Sequence, residues 1–597
     1  MFRIGALLAA GAVAAWGGAA FAREEGAEEG LDVLIVTAQR RAEEAQDVGV
    51  ALTAISGDAL RKQGVTKINR IEEAAPNLDV EPQFGSGAPV FSIRGVGFRD
   101  YATNNAPTVG VYVDEVAYPF PVMTQGVLFD VARVEVLRGP QGTLYGRNTT
   151  GGAINVVSAR PTEALAAGGF AEYGRFGAAS FEGYVSGPLS DRVRARLAAS
   201  VEQGGAWQVN RDTGAELGDK DRIALRGLIE FAASDDLELL LNVHGYRDES
   251  DGLGLRLFRP FGPNAAHGPR QTSWGASPEF AAAVAIAPET PPFRDNEGYG
   301  ASLTAKIGLG GAEITYIGAY EHLDREEYND FDAVTAGIAG VYFISDIDVV
   351  TQEARVASTG DRRLDWIAGL YYSRERLDEN YQSDFVDSFG PGFAVRTPYR
   401  QEADSIGVFG QFDYALRDRI SLVGGLRYEH ENRDLVGLGT FASGFGAFNF
   451  ANGTVDGALE NRSLTTDEAS GKAALEFEAS DDVLIYVSAS RGVKSGGFTA
   501  YNTLNAAALT PFDPEVLWAY EAGFKSQFAA NRVRLNAAFF YYDYRDQQVQ
   551  SAIFDPGTGA VVGRIVNAEK SRIWGAEAEL LAAPVSWLTR VLPERTP

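Results

Sequence analysis

The chain has 597 residues, 45% of them hydrophobic and 11% aromatic, with 68 glycines, no cysteine and a formal net charge of −27. That length exceeds one ordinary domain. The absence of thiols excludes a disulfide scaffold and a thiolate metal site, and the negative charge excludes nucleic acid as a partner, because its binders carry a basic face.

Arg3 precedes an apolar run from Ile4 to Trp16, and Ala20-Phe21-Ala22 supplies a small-x-small cleavage site, so residues 1–22 read as a secretory signal peptide. No run of about twenty apolar residues follows, which leaves the periplasm or the outer membrane as destinations. Residues 23–41 read as a periplasmic segment. Within it, Asp32-Val33-Leu34-Ile35-Val36-Thr37-Ala38 is β-branched and flanked by charge, a pattern suited to adding as a strand to the edge of a partner's sheet.

Residues 42–162 read as a compact α/β unit. Ser56 caps a helix over Gly57 to Gln63, stopped by Gly64, and a second helix near Lys67 to Ala75 ends at Pro76. Strands are expected at Val90 to Arg94, Thr108 to Val116, Ala132 to Leu137 and Ala153 to Ser158. Between the last two, Gly139, Gly142, Gly146, Gly151 and Gly152 punctuate a backbone that turns repeatedly and approaches other backbone closely. No Gly-Lys-Ser/Thr follows these glycines, so the segment is not a phosphate loop.

From Leu165 the texture changes to hairpins. Arg192, Arg194, Arg196, Ala198, Ser200 and Glu202 alternate with Val193, Ala195, Leu197, Ala199 and Val201, and the split recurs over Arg222 to Phe231 and Leu237 to His244. Periodicity alone fits either a soluble sandwich or a membrane barrel. The connections break the tie: Ala233 to Asp236, Leu416 to Arg419, Ala479 to Asp482 and Ala530 to Arg532 are short polar turns. Roughly Arg247 to Asn296, Asp324 to Ser345, Arg374 to Gln401, Asn432 to Ser463 and Thr499 to Glu515 are long loops. Short turns on one side, long loops on the other and aromatics near strand ends describe an all-β transmembrane β-barrel over residues 163–589. It holds about sixteen or seventeen strands, at roughly ten or more residues each. The acidic run Asp324 to Asp332 reads as a solvated loop. The four histidines, His244, His267, His322 and His430, form no His-Glu-x-x-His pair, and no Gly-x-Ser-x-Gly elbow occurs. No catalytic residue, metal site or cofactor is therefore expected, and the chain does not read as an enzyme.

Leu137-Arg-Gly-Pro140 with Leu144-Tyr-Gly146 and Gly151-Gly-Ala-Ile-Asn155 resembles the signature of TonB-dependent outer-membrane receptors. So do Phe91 to Gly97, Val109 to Val116, Tyr486 to Phe498, Phe512 to Glu515, Tyr520 to Ser526, Leu535 to Ala538 and Asn567-Ala568, so that the likeness covers nearly the whole chain. It implies a plug domain (42–162) inside the lumen of a barrel that has 22 strands in the family. It also implies insertion into outer-membrane lipid by the barrel-assembly machinery and import of a scarce ligand. That ligand is above all a ferric siderophore or other ferric chelate, with a carbohydrate, an aromatic compound or cobalamin as further cargoes. Asp32 to Ala38 is similar to the TonB box gripped by TonB, which works with its inner-membrane energising complex. Arg94, Glu135 and Arg138 occupy positions that pair, in the family, with charges of the barrel. The plug apices between strands place Phe98, Arg99, Tyr101, Asn104, Asn105, Tyr118 and Phe120 as candidate ligand contacts, mixing aromatic surface, hydrogen bonding and one cation. Against the family, the strand count falls short and residues 590–597 match nothing in it, so an incomplete barrel that fails to work as a receptor is one expectation. A secreted β-rich adhesin is the reading from another class.

Overall fold

The computed structural model describes residues 31–583 except 32, 83–87, 101, 127, 253, 257–267, 361, 444–445, 448–458, 502–508 and 556–559. The expected signal peptide, Asp32, Tyr101 and the tail 590–597 lie outside the described residues.

The N-terminal unit contains β1 (Ile35–Val36), β2 (Glu43–Glu44), β3 (Leu52–Ser56), α1 (Gly57–Lys62), β4 (Leu78–Pro82), β5 (Pro89–Ile93), β6 (Val96–Gly97), β7 (Val109–Val113), β8 (Val116–Tyr118), β9 (Val131–Arg138), α2 (Gly142–Tyr145) and β10 (Gly152–Ser158). Five strands form one sheet in the order β3-β9-β10-β7-β8, in which β10 and β7 run parallel. α1 begins as the sequence expects: Ser56 Oγ accepts the Ala59 N–H at 3.2 Å and satisfies one orphan donor. The second helix is instead a 3-10 turn over Ile68–Glu73, with no side-chain cap from Lys67, and the Ile-Asn start offers little helix propensity. Thr108 to Val116 is not one strand. Asp114 and Glu115 adopt φ of 49° and 72°, turning β7 back into β8, a conformation that Asp tolerates better than most residues.

The wall contains β11 (Ala166–Tyr173), β12 (Ala179–Ser190), β13 (Val193–Gly204), β14 (Lys220–Ser234), β15 (Leu237–Asp248), β16 (Phe293–Gly308), β17 (Ala312–Asp330), β18 (Gly340–Ser358), β19 (Leu364–Asp384), β20 (Ala394–Arg417), β21 (Ile420–Leu438), β22 (Glu460–Ser480), β23 (Val483–Lys494), β24 (Glu515–Phe528), β25 (Val533–Asp555) and β26 (Ala560–Ala582). The sheet counts 18 strands, two of which form a two-residue hairpin in the loop after β21, leaving sixteen that run the wall. Each pairs antiparallel with the next, and among the described residues no ladder joins β11 to β26.

The faces are inverted relative to a water-soluble sheet. In β14, Ile223, Leu225, Ile229 and Phe231 are exposed while Arg226 and Glu230 are buried, so the apolar side meets lipid and the polar side meets the lumen. The short turns fall where the sequence places them, and β-bulges precede those after β12, β14, β20 and β22. Two of the long loops are shorter than expected. β17 and β18 extend to Asp330 and from Gly340, and β19 and β20 to Asp384 and from Ala394. The acidic run is thus mostly strand: Glu327 is fully buried and 2.7 Å from Arg325. Beyond the lipid both faces are polar, so the alternation that marks a membrane strand fades from the sequence although the ladder continues.

Candidate functional site

The N-terminal unit sits inside the wall as a plug, held by buried ion pairs. Arg94, in the β5–β6 turn, lies 2.6 Å from Glu521 of β24 and 2.6 Å from Glu577 of β26, with its guanidinium 4.3 Å from the Phe540 ring centre. Arg138 approaches Glu577 and Glu579, both at 3.7 Å. Buried guanidiniums need such carboxylates, because removing charge from water without a partner costs several kcal/mol. Glu135 is turned elsewhere. It is fully buried within the plug, accepting from Arg133 Nε at 2.7 Å, the Thr37 N–H at 2.8 Å and Asn155 Nδ2 at 3.1 Å. The reading of Glu135 as a plug–barrel ion pair is therefore corrected: its side chain stands on the face of β9 that covers the N-terminal segment, not on one that meets the wall.

Three further ties escape the sequence reading. Arg147, just after Gly146, is ringed by Glu375 of β19 at 2.7 Å and by Glu429 and Glu431 of β21, the former at 2.8 Å. Glu115, at the β7–β8 turn, lies 3.0 Å from Arg40 and 2.7 Å from Arg355 of β18. Burial pushes the Glu115 carboxyl up, but Arg355 and Arg40 outweigh it and hold it down at about 2. Asp130 receives Arg196 of β13 at 2.7 Å through Nε. The signal that could have found these ties is the inward set of each wall strand, whose charges need partners in the lumen, on the wall or on the plug.

The N-terminal segment is docked. β1 pairs with β2, Leu34 accepts the Ala45 N–H at 2.9 Å, and Val36 and Ala38 are fully buried, whereas Val33 and Ile35 are about half exposed. Leu31 is tied to the β24–β25 turn by reciprocal bonds with Asn531, each 2.7 Å. Glu43 of β2 faces Arg41, Glu476, Asp413 and Lys472. Burial pushes its carboxyl up to about 7, with Arg41 opposing and the neighbouring carboxylates adding.

At the extracellular end, the candidate apex residues mostly face the barrel. Asn104 is buried and donates to the Phe498 carbonyl at 2.9 Å, and Asn105 is buried and donates to Asp100. Phe98 lies under the Lys494 ammonium, 3.6 Å from Nζ to the ring centre. Arg99 is exposed and pairs with Glu81 at 2.6 Å. Tyr118 OH donates to Glu321 at 2.9 Å, and Phe120 joins the plug core while bordering, with Phe98, Asn105 and Arg325, a small cavity of about 40 Å³. Around the apex stand Arg325, 4.0 Å from the Phe343 ring centre, and Tyr381 stacked on Tyr501 at 4.2 Å. These were not legible, because they sit in extended strand ends and a loop.

The arrangement presents a polar, aromatic apex outward and a docked strand inward. Two family models match the chain: "TonB dependent receptor-like, beta-barrel" over residues 234–592 and "TonB-dependent Receptor Plug Domain" over residues 44–153. The pesticin receptor of Yersinia pestis is 26% identical over 571 residues, covering 94% of this chain and 76% of that protein. Among solved structures, the ferric yersiniabactin uptake receptor FyuA from Yersinia pestis aligns with a TM-score of 0.73 at 23% identity, over 89% of this chain and 76% of its own. The siderophore receptor PiuA from Acinetobacter baumannii aligns with a TM-score of 0.73 at 16% identity, over 94% and 80%. With a plug seated by buried charges inside an inverted β-wall and a model match over more than half its length, the chain belongs to the TonB-dependent receptors of the bacterial outer membrane.

Proposed function

We propose that the protein imports a ferric siderophore across the outer membrane, drawing energy from TonB through residues 32–38, and performs no covalent chemistry on its cargo. The observation that carries this reading is the apex. Lys494 is buried against the Phe98 ring and hydrogen-bonds an uncharged amide oxygen, that of Gln548; Arg325, paired with Glu327, lies against Phe343, around which Tyr381, Tyr399 and Tyr501 gather, and Arg433 is paired with Glu431. Low-dielectric cations next to aromatic faces suit an anionic, aromatic chelate. Relatives whose names carry ferric yersiniabactin and ferric pyoverdine agree with that chemistry. At the other end, the docked segment offers an extended strand with exposed Val33 and Ile35 to a partner's sheet edge.

The test is uptake of radio-iron-loaded chelates, beginning with ferric yersiniabactin and extending to pyoverdine and catecholate types, by cells expressing this chain as their sole such receptor. Uptake that vanishes without TonB supports the reading. Uptake of none of the chelates, with a sugar or cobalamin taken up instead, overturns the cargo. Lys494→Gln is expected to weaken uptake of the anionic chelate while leaving the amount of receptor in the membrane unchanged.

A further inference from the structure

β17 runs from the short turn after β16 toward a loop end, and its outward side reads Ile314, Tyr316, Gly318 and Tyr320, then His322, Asp324 and Glu326. On neighbouring β18 the outward side changes at the same height, from Val350 to Asp348 and Asp346. The register sets His322 opposite Asp348 and Asp324 opposite Asp346. Four titratable side chains thus stand in two consecutive cross-strand pairs on the outer face of the wall, just beyond the tyrosine that ends the lipid-facing stripe. They open on a trough of about 860 Å³ bordered also by Arg247, Glu297, Asp378 and Arg400.

The contacts of His322 call for a cation. Its Nδ1 lies 3.0 Å from an Asp348 carboxylate oxygen and its Nε2 3.1 Å from one of Asp324. A neutral imidazole carries one N–H and one lone pair, so in either tautomer a lone pair confronts a carboxylate. Tyr320 OH already donates to the same Asp348 oxygen at 2.6 Å. Among the described residues no Arg or Lys forms an ion pair with Asp324 or Asp346. One ligand atom each from His322, Asp346 and Asp348 come within 4.8 Å of one another.

A second copy of this unit, on β21 and β22, makes no such demand. Tyr428 OH donates to Asp467 at 2.7 Å, and His430 Nδ1 lies 2.8 Å from the same carboxylate, directly across the ladder. The next pair there is Asn432 and Thr465 instead of two aspartates. Asn432 Nδ2 donates to His430 Nε2 at 3.2 Å, so a neutral imidazole is satisfied at both nitrogens. The Tyr, His and Asp unit is therefore complete as a clasp between strands, and the β17–β18 copy adds two carboxylates that the clasp does not need.

We propose that His322, Asp346 and Asp348 bind a divalent first-row transition metal such as Zn²⁺ on the outer wall, with Asp324 accepting the Nε2–H and so presenting Nδ1 to the ion. One imidazole and two carboxylates form an N/O ligand set of the kind such metals take, and three protein ligands leave a position open to the trough. A ligating histidine that gives its other N–H to a carboxylate is the usual arrangement, because that bond fixes the tautomer. His322 Nδ1 and the Asp348 oxygen are already spaced much as two ligands of one tetrahedral ion at about 2.0–2.2 Å from each, and the exposed Asp346 needs only a rotamer change to join them. A proton on His322 would satisfy the imidazole but leave Asp346 unanswered. The ion joins β17 to β18 where both leave the lipid.

The chain has four histidines and no cysteine, so few other sites compete for a transition metal. Calorimetric titration of the untagged, metal-stripped, full-length protein in detergent with Zn²⁺ is expected to give one ion per chain. Asp324→Asn is expected to weaken binding about 10–100-fold, and His322→Ala or Asp346→Asn further still, whereas His430→Ala leaves it unchanged. Zn²⁺ is expected to raise the thermal midpoint of the wild type and not that of Asp346→Asn, because an ion bound to the folded state stabilises it. The double variant Asn432→Asp/Thr465→Asp, which gives the second copy the same four side chains, is expected to bind two ions. A wild type that takes up no Zn²⁺ overturns the site. So does Zn²⁺ binding that is equal in wild type, His322→Ala and Asp346→Asn, or that falls as far in His430→Ala as in His322→Ala. Should His322→Ala fail to fold, the exposed Asp346→Asn decides: retained affinity overturns the assignment and lost affinity upholds it.

Discussion

Two strands, β7 of the plug and β14 of the wall, bury opposite things. All five residues of β7, Val109–Val113, are buried, among them Val109, Val111 and Val113 in the plug core. In β14 it is Arg226 and Glu230 that are hidden, while Ile223, Leu225, Ile229 and Phe231 face outward. The difference lies in the solvent on the outer side. Lipid makes no hydrophobic demand for burial, so the wall spends its polar residues on the lumen, where some charges pair along the wall, as Arg325 does with Glu327, and others meet the plug. Two kinds of stability therefore coexist: an apolar core inside the plug, and an ionic fit between plug and wall.

Breaking the ionic fit is expected to have the largest effect. Arg94→Ala leaves Glu521 buried without its cation and Glu577 with only Arg138, at 3.7 Å, and is expected to cost about 3–5 kcal/mol, read as a lower plug unfolding midpoint in detergent. An unchanged midpoint would show that water repairs the gap. On the wall, Leu225→Arg places a charge in lipid at about 2–4 kcal/mol, seen as lost barrel stability in urea titrations. The same exchange at an inward position, Ser200→Arg, is expected to be milder, and equal losses would contradict the inverted faces.

Two plug carboxylates displaced in opposite directions, Glu43 and Glu115, sharpen the comparison through pH. Glu43 has a folded value above its unfolded one. Its contribution is thus complete below about 4.5 and is lost as pH rises through about 7. Glu115 is displaced the other way, so its contribution is present above about 4.5 and lost as pH falls through about 2. Protease nicking of residues 39–49 is therefore expected to increase from pH 6 to pH 8, a range chosen about the displaced Glu43 value, and Glu43→Gln is expected to flatten that rise. A rise that survives in Glu43→Gln would assign it to another group. The smallest effect belongs to a local element: Ser56→Ala removes the α1 cap and is expected to cost about 1 kcal/mol, measured by hydrogen exchange at Ala59.

Much of this architecture was legible. The period-two alternation gave the wall strands, the Ser56 cap and Gly64 stop gave α1, and the short turns were placed within a residue or two. What was misread has physical causes. The segments Asp324 to Ser345 and Arg374 to Gln401 carry charge on both faces, because beyond the lipid neither side of the sheet needs to be apolar, so strands looked like loops. Glu135 was read by its motif neighbours, yet the direction of its side chain is set by the sheet that β9 enters, where Thr37 and Asn155 meet it. Arg147 gave no local sign, since its three carboxylates come from strands more than two hundred residues away.

By itself the sequence determined that the chain alternates as a membrane wall does, and that a glycine-rich turn and a β-branched N-terminal strand precede that wall, because side-chain period and turn chemistry are local properties. Only the tertiary structure decided which charges answer one another and which apex residues are already occupied. Those facts depend on wrapping a long sheet around the plug, and no segment carries that information before the strands stand side by side.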